Sequence, residues 1–352
     1  MKKGDVHAQK FPKVSIIVIN FRGTTYLNNC LNSLRNIRYP DFEIIVVDCL
    51  TSNISQYIER FFPTVKLVHY EKDIGAAAQH NAGVKVADKA SKYILFLDND
   101  VEVHPDLLFE LVSLAESQPN IGVVGPRVMS LLDRKTELEA GLKCDLTGFP
   151  LTEHTNSMMY SVFYVSSCCM LVRKEVFEHV TGFDPEYFLF VDDLDFCWRV
   201  RLVGYDIKVT KKAIVYHKGG GTAKGGHINN ILHYETSTQR IYFRERNTLR
   251  TLLKNYALTN LLFSLLLYLT TLVFEFFIFS VLTWTVPKCY IHALTWNIKK
   301  LRDTLRVRSI IQRNRKVKDS EIMKFMLKFG FGKFQFFKVI GIPRVKNEIQ
   351  QV

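Results

Sequence analysis

Apolar, strand-like runs alternate with helical segments along the first hundred residues, and this pattern leaves few folds open to the chain. The runs at residues 14–19, 42–47 and 93–97 are almost continuously apolar and rich in β-branched residues, which is typical of strands covered on both faces. Helical periodicity at 24–37 and an alanine-rich stretch at 75–90 separate them. This alternation predicts an α/β fold with a mostly parallel central sheet flanked by helices.

Acidic residues follow two of these strands directly. Asp48 ends the second strand, and Asp98-Asn99-Asp100 follows the third. Ligands of parallel sheets bind beyond the carboxyl ends of the strands, so these side chains are expected to share one edge. Asp98 and Asp100 offer the hard oxygen ligands that Mg²⁺ and Mn²⁺ prefer. The alternative is a turn whose aspartates cap the helix that begins at Pro105.

A second acidic cluster and one histidine lie further along the chain. Asp192, Asp193 and Asp195 stand at the start of a predicted helix over 192–204, and His217 follows another apolar run. One of these carboxylates is suited to remove a proton from an acceptor hydroxyl, but stabilisation of a helix N-terminus explains the cluster equally well. His217 is either an exposed surface residue or a ligand that completes a metal site.

Other residues leave two interpretations open. Phe196 and Trp198 belong either to the core or to the lining of a cleft, and Arg246-Asn247 either contacts a phosphate or lies on a basic helical surface. Five glycines within residues 219–226 predict a flexible loop that closes over a ligand.

The positive charge of the chain is concentrated near its end. The formal net charge is +13, and the residues from Lys288 onward contribute 16 Lys/Arg and 4 Asp/Glu. A basic tail of this kind predicts an anionic partner, either a membrane surface or nucleic acid. The seven cysteines form no C-x-x-C pair, so neither a zinc site nor a disulfide framework is expected, and a reducing compartment is the simpler interpretation. Residues 1–13 lack an apolar signal core, so a secretory signal is not expected.

Residues 258–286 form the most apolar stretch, and about 20 such residues suffice to span a bilayer. One crossing would place the basic tail outside, against the positive-inside tendency, and two crossings do not fit. We therefore expect a re-entrant or interfacial helical hairpin here. The mixed cationic and aromatic segments 324–329 and 333–338 predict helices in the membrane interface. The alternative is that 258–286 packs on the catalytic domain or in an oligomer interface.

Taken in order, five segments resemble the family 2 glycosyltransferases, which have the GT-A fold, and in particular their rhamnosyltransferase-like and galactofuranosyltransferase-like members. The resemblance covers roughly residues 12–250. The segments are VSIIVIN at 14–20, EIIVVD at 43–48, the stretch 75–83 that ends in NAG, LFLDND at 95–100, and GFD at 182–184 followed by DDLDFCWR at 192–199 and by His217.

The resemblance implies roles at the matching positions. Asp193 is implied as the catalytic base, with Asp192 replacing the usual Glu beside it, and Asp98, Asp100 and His217 are implied as metal ligands. The residues implied to bind substrate are Asp48 (the nucleobase), Asp98 (the ribose or the metal), Asn99, Asp192, Trp198 and Arg199. The implied reaction is inverting, metal-dependent transfer of a sugar from a nucleotide-diphosphate donor to a hydroxyl of a glycan or lipid-linked acceptor, with Mn²⁺ or Mg²⁺ as the cofactor.

These expectations combine into one organisation. Residues 1–250 would form the catalytic domain, with a nucleotide-binding half over about 12–127 and an acceptor half over about 128–250, and residues 251–352 would hold the apolar segment and the basic tail. We expect a membrane-associated enzyme on the cytoplasmic face that contacts anionic lipid and does not bind nucleic acid.

Two other functions remain open: a sugar-phosphate nucleotidyltransferase, and a membrane-tethered nucleotide-sugar binder that has lost catalysis. The chain also departs from the family pattern in its nucleotide half. It has Cys49 to Asn53 where Asn and then Gly-Ser-Thr-Asp are usual, Asp73 for Asn, and His80 for Asn or Arg. The donor sugar is therefore not predicted.

Overall fold

A computed structural model describes residues 11–153, 155–219, 227–228, 234–327, 332–341 and 343–346. Its strands are β1 (Val14–Phe21), β2 (Phe42–Cys49), β3 (Lys66–Tyr70), β4 (Tyr93–Asp98), β5 (Val101–Val103), β6 (Ile121–Ser130), β7 (Glu137–Glu139), β8 (Leu142–Cys144), β9 (Pro150–Thr152), β10 (Met159–Ser161), β11 (Cys169–Arg173), β12 (Asp206–His217), β13 (His227–Ile228), β14 (Tyr234–Ser237) and β15 (Arg344–Lys346).

The helices are α1 (Thr25–Leu34), α2 (Ile54–Phe61), α3 (Ala76–Val86), α4 (Leu107–Ser117), α5 (Lys174–His179), α6 (Asp192–Leu202), α7 (Thr238–Asn255), α8 (Leu258–Leu282), α9 (Thr285–Lys299), α10 (Leu301–Asn314), α11 (Asp319–Ile322) and α12 (Gly332–Ile340). Two short 3₁₀ helices lie at Pro185–Tyr187 and Met323–Phe325.

A ten-stranded sheet forms the centre of the described structure. Its main path runs β10-β12-β6-β11-β4-β1-β2-β3, and β5 and β7 pair with β12 and β6. The part β4-β1-β2-β3, which falls in the half predicted to bind the nucleotide, is parallel, and β11 enters antiparallel between β4 and β6. The apolar runs found in the sequence form β1, β2 and β4, whose central residues are fully buried. The predicted α/β fold is therefore confirmed in its architecture.

The helices pack on this sheet through regularly spaced apolar residues. In α1 the buried positions are Leu27, Cys30, Leu31 and Leu34, which fall on one face of a helix. β12 is one long strand, interrupted by an irregularity between Val209 and Ile214. This length matters because β12 reaches from the part of the sheet beside β10 to the edge where Asp98 lies.

The apolar segment near the end of the chain differs from the predicted hairpin. Residues 258–282 form the single 25-residue helix α8, and the chain turns only at Thr283 and Trp284 before α9 begins. In the part of the chain that the structure describes, α8 is the one helix long and apolar enough to cross a membrane. Of its most apolar stretch of 18 residues, 22% is buried in the protein. The hairpin within 258–286 is therefore wrong, because no turn residue interrupts the apolar run.

The predicted interfacial helix over 324–329 is also wrong in its described part. Residues 323–325 form one 3₁₀ turn, Met326 is buried, and the Leu327 amide donates to the Cys144 carbonyl at 2.9 Å. This stretch packs on the catalytic part because its apolar side chains fill the core cluster that also contains Trp198 and Tyr256. Residues 333–338 do lie in a helix, α12.

Candidate active site

Pairing of two strands brings the first acidic run to His217. Asp98 ends β4, and β5 follows after Asn99 and Asp100. Because β5 pairs antiparallel with β12, Val101 lies opposite His217. The Nε2 atom of His217 is 3.1 Å from Oδ1 of Asp100, and one ligand atom from each of Asp98, Asp100 and His217 lies within 4.8 Å of the others. Two carboxylate oxygens and one imidazole nitrogen fit a divalent ion such as Mn²⁺ or Mg²⁺.

The ionisable groups of this cluster strongly affect one another's pKa values. Burial, and then the negative charge of Asp100, raise the pKa of Asp98 to about 7, and His217 partly opposes them. Burial disfavours the charged form of His217, but Cys168 and Asp100 outweigh it and hold the pKa of the imidazole well above its usual range. Crowded acids that resist ionisation in this way are expected where a cation is to be held.

The second acidic cluster faces the same cavity. Asp192 and Asp193 occupy the first turn of α6, and both line the cavity that contains Asp98 and His217. Burial raises the pKa of Asp193 to about 6, although the backbone amides of Leu194 and Ser167 stabilise its charged form. Burial and the charge of Asp193 raise the pKa of Asp192 well above its usual range. This arrangement favours a proton on Asp192 and leaves Asp193 as the carboxylate that can accept one.

The cavity itself has a volume of about 360 Å³ and lies at the carboxyl ends of β1 and β4. Acidic side chains form one part of its wall, and Arg240 and Arg244 of α7 form another. The guanidinium of Arg240 lies 4.5 Å from the ring centre of Phe190, and that of Arg244 lies 5.4 Å from the ring centre of Phe149. A cavity lined by both carboxylates and arginines suits a ligand that carries both phosphate and hydroxyl groups.

Asp48 lies behind this cavity. Its carboxylate is fully buried and accepts hydrogen bonds from the Asn20 amide at 2.5 Å and the Thr51 hydroxyl at 2.6 Å, and His69 Nδ1 lies 2.8 Å away. Asn99, which does line the cavity, donates to Asn20 Oδ1 at 2.6 Å. Hydrogen bonds from Asn99 to Asn20 and from Asn20 to Asp48 thus connect the ends of β4, β1 and β2. The sequence analysis assigned no role to Asn20. Direct contact between Asp48 and a nucleobase stays a prediction.

Two residues of α6 that were expected to bind substrate, Trp198 and Arg199, do not line the cavity. Trp198 is fully buried and packs edge-on against Tyr256, with ring centres 4.7 Å apart. Arg199 donates to Asp195 at 2.9 Å and to the carbonyls of Val180 and Gly182. Neither residue lines the cavity, because residues 198 and 199 lie on the face of α6 that packs into the core. The assignment of Trp198 and Arg199 to substrate binding is therefore corrected to a structural one.

The structure adds residues that the sequence did not single out. Glu139 of β7 lies close enough to the site for its charge to interact with His217, Asp193 and Asp98, and burial raises its pKa to about 7. No sequence signal marks it, since β7 has only three residues. Arg246 and Asn247 are buried against a loop and are not on a basic surface. The glycine-rich segment at 220–226 lies outside the described residues.

One long segment of the chain matches the model of a known protein family. Residues 15–181 match the family model described as glycosyl transferase family 2. This segment belongs to that family. The match includes Asp48, Asp98 and Asp100, and it ends before Asp193 and His217. The resemblance to family 2 glycosyltransferases is therefore confirmed.

Two relatives carry names that refer to glycan biosynthesis. The O-antigen biosynthesis protein RfbC of Myxococcus xanthus is 31% identical over 232 residues, which are 58% of this chain and 17% of that protein. The N-acetylglucosaminyl-diphospho-decaprenol L-rhamnosyltransferase of Mycobacterium tuberculosis is 21% identical over 250 residues, which are 63% of this chain and 81% of that protein. The chain spans half or less of the length of RfbC and of two further relatives.

A solved structure shares the fold. The mannosyltransferase PcManGT from Pyrobaculum calidifontis, determined in complex with GDP-Man and Mn²⁺, superposes with a TM-score of 0.51 at 15% identity, over 87% of this chain and 86% of that one. At this identity the similarity establishes the fold and carries no residue role. The chain described here therefore has the GT-A architecture expected from its sequence.

Proposed function

We propose that this chain is an inverting, metal-dependent glycosyltransferase that moves a sugar from a nucleotide-diphosphate donor to a hydroxyl of a glycan or lipid-linked acceptor. The observation that carries the proposal is the meeting of Asp98, Asp100, His217 and Asp193 in one cavity. Relatives named for O-antigen biosynthesis and for rhamnosyl transfer to a lipid-linked sugar support the same reaction class.

Each residue has a definite task in this reaction. Asp98, Asp100 and His217 would hold a divalent ion, which when bound supplies positive charge that offsets the charge developing on the leaving diphosphate. Asp193 accepts the proton of the acceptor hydroxyl, whose oxygen forms a bond to the anomeric carbon. The bond from that carbon to the diphosphate oxygen breaks on the opposite side, and the anomeric configuration inverts. Arg240 and Arg244 line the other wall, where phosphate groups are best neutralised.

The test is transfer by the purified full chain with Mn²⁺ or Mg²⁺ across a panel of nucleotide-sugars. Release of nucleoside diphosphate, dependent on metal and accelerated by a lipid-linked or glycan acceptor, is expected. Asp193→Asn should lower transfer by about 10²- to 10⁴-fold and leave nucleotide binding intact. Asp41→Asn, at an exposed turn before β2, is the control and should retain activity. Pyrophosphate release from a nucleoside triphosphate and a sugar phosphate would instead identify a nucleotidyltransferase, and donor binding without turnover would identify an inactive binder.

We also propose that α8 lies in the plane of an anionic membrane, on its cytoplasmic face. Its inner stripe packs on the protein over most of the helix, which is about 37 Å long, through Leu261, Ser264, Tyr268, Leu272, Glu275 and Phe279. Polar contacts tie this stripe down. Tyr268 donates to Glu245 at 3.0 Å, and the Lys333 ammonium lies 2.7 Å from both Glu245 and Glu275. A spanning helix would have to break these contacts, whereas a helix lying in the interface keeps them.

The outer face of α8 is apolar and exposed. Its exposed large side chains are Leu258, Leu262, Phe263, Leu266, Leu269, Val273, Phe274, Phe277, Val281 and Leu282. On the neighbouring α9 and α10, exposed Ile298 and Leu301 alternate with exposed Lys299 and Arg302. Apolar side chains interleaved with cations are typical of surfaces that bind anionic lipid.

Vesicle flotation tests this surface. Phe263→Glu combined with Phe277→Glu should reduce binding to vesicles containing anionic lipid by at least about 10-fold, because it places charge where apolar contact is needed. Phe61→Glu, at an exposed phenylalanine on α2, should not change binding. Equal binding by wild type and the double variant, or no binding by the wild type, would contradict the docking surface without affecting the transfer assay.

A further inference from the structure

A strained loop carries the acidic pair. Residues 186–191, here called the acidic-pair loop, end directly before Asp192 and Asp193. Phe188, Phe190 and Val191 all have positive φ, at 61°, 65° and 66°. Bulky and β-branched residues disfavour this left-handed region, and each such residue costs on the order of 1–3 kcal/mol. Surrounding contacts must therefore hold the loop in this shape.

Two residues of α7 supply those contacts. The side-chain amide of Asn247 donates towards the carbonyl oxygens of Tyr187, Leu189 and Phe190, at 2.9, 2.9 and 2.8 Å. The guanidinium of Arg246 donates to the carbonyls of Glu186 and Tyr187, at 2.8 and 2.7 Å. It also donates to Oδ1 of Asn247 at 2.9 Å, so the amide is itself held in orientation.

The loop is also enclosed on its other sides. The ring of Phe188 stacks on Phe243 of α7, with centres 5.3 Å apart. Gly75 lies so close that a Cβ there would be 2.5 Å from the Phe188 carbonyl oxygen. Asn247 is fully buried, so no water replaces its amide if the side chain is lost. The carbonyls of Leu189 and Phe190 would then lose the side-chain donor that holds them, although Arg246 would still reach the carbonyl of Tyr187, and the strain at residues 188–191 would be free to relax.

We propose that Asn247 is a positioning residue for catalysis: it fixes the acidic-pair loop and thereby the carboxylate of Asp193. This inference rests on the proposed transfer reaction, in which Asp193 is the base. Asparagine suits the role because its amide group presents two protons to converging carbonyls. An aspartate would direct lone pairs at the same carbonyls, and a leucine would offer no donor.

The kinetic test compares Asn247→Leu and Asn247→Asp with Asn255→Leu. Asn255 is a fully buried asparagine on the same helix that donates to Asp195 at 3.0 Å and does not contact the loop. Both Asn247 variants should lower kcat by about 10²-fold, as expected for a displaced catalytic group, with the KM for the donor changed less than about threefold. Asn255→Leu should lose comparable thermal stability and keep kcat within about threefold. Equal kcat losses in all three variants, or none in the Asn247 variants, would overturn the proposal.

A second readout does not depend on turnover. Amide hydrogen exchange of residues 188–193 should accelerate at least about 10-fold in Asn247→Leu and remain unchanged in Asn255→Leu. Unchanged exchange in Asn247→Leu would refute the positioning role even if the wild type transfers sugar. Absence of transfer by the wild type, with accelerated exchange in the variant, would refute the proposed function and leave the structural role of Asn247 standing.

Discussion

Lys254 of α7 offers the sharpest test of what joins the C-terminal helices to the catalytic part. Its ammonium group is fully buried, 2.6 Å from Oδ2 of Asp184 and 3.0 Å from Oδ1 of Asp195. Removing it by Lys254→Met leaves two largely buried carboxylates short of a cation. Loss of one partner from a buried ion pair costs about 3–5 kcal/mol. Because Asp184 keeps Arg250 at 3.0 Å and Asp195 keeps Arg199 at 2.9 Å, we expect the lower end, about 3 kcal/mol.

Urea unfolding, followed by fluorescence and extrapolated to water, measures this loss. The control is Lys92→Met, which breaks a surface pair with Glu116 at 2.7 Å in which the side chains are 46% and 38% exposed. Exposed pairs contribute about 0–1 kcal/mol, so the control should lose no more than that. Similar losses in the two variants would refute the reasoning, because the difference rests entirely on burial.

Three further changes have definite expected outcomes. Burial opposes ionisation of Asp184, but Lys254 and Arg250 outweigh it and hold the pKa of its carboxyl below the usual range. The stability that this carboxylate contributes above about pH 4 should therefore be lost as the pH falls further. The pH-dependent loss should be smaller in Lys254→Met, which lacks one of the two cations. Burial lowers the pKa of His80 to about 3, so the unfolded chain takes up a proton below about pH 6.5 that the folded chain does not. The free energy of unfolding of the wild type should therefore decrease as the pH is lowered. His80→Phe should remove about 2 kcal/mol of that loss at pH 5, measured by urea unfolding at pH 7 and at pH 5. Gly75→Ala should lower the free energy of unfolding by about 1–3 kcal/mol and slow transfer, because the new Cβ displaces the acidic-pair loop. Gly23 also has positive φ, but a Cβ there would meet no atom within 4 Å, so Gly23→Ala should cost only backbone strain. Thermal melts and initial transfer rates distinguish the two variants.

Local sequence patterns were sufficient to predict the sheet and the edge at which Asp98 and Asp100 lie. The strands β1, β2 and β4 are apolar on both faces, and that property belongs to each segment regardless of its neighbours. Asp98 and Asp100 follow such a strand directly, so their place at the sheet edge follows from the chain direction alone. His217 also ends an apolar run, but that pattern left a surface position open, and its place beside Asp98 and Asp100 was implied by the family resemblance.

The roles within α6 were harder to assign. Asp192, Asp193 and Asp195 are equivalent in sequence, yet the first two face the cavity and Asp195 pairs with Arg199 in the core. The helix direction and its rotation about its own axis decide this, and both depend on packing against α7. Trp198 was misassigned on the same account, because the side of α6 that faces the cavity cannot be deduced from residue types.

The chain by itself determined the alternation of strands and helices in its first hundred residues, the sheet edge at which Asp48 and Asp98 lie, and the presence of a long apolar stretch near its end, since each follows from a pattern within a few consecutive residues. Only the tertiary structure decided that Glu139 lies beside the site, that α8 is continuous and tied to the protein by Glu245, Glu275 and Lys333, and that Asn247 holds the loop before Asp193. These contacts join residues far apart in sequence, and their partners are selected by packing, which a local pattern does not encode.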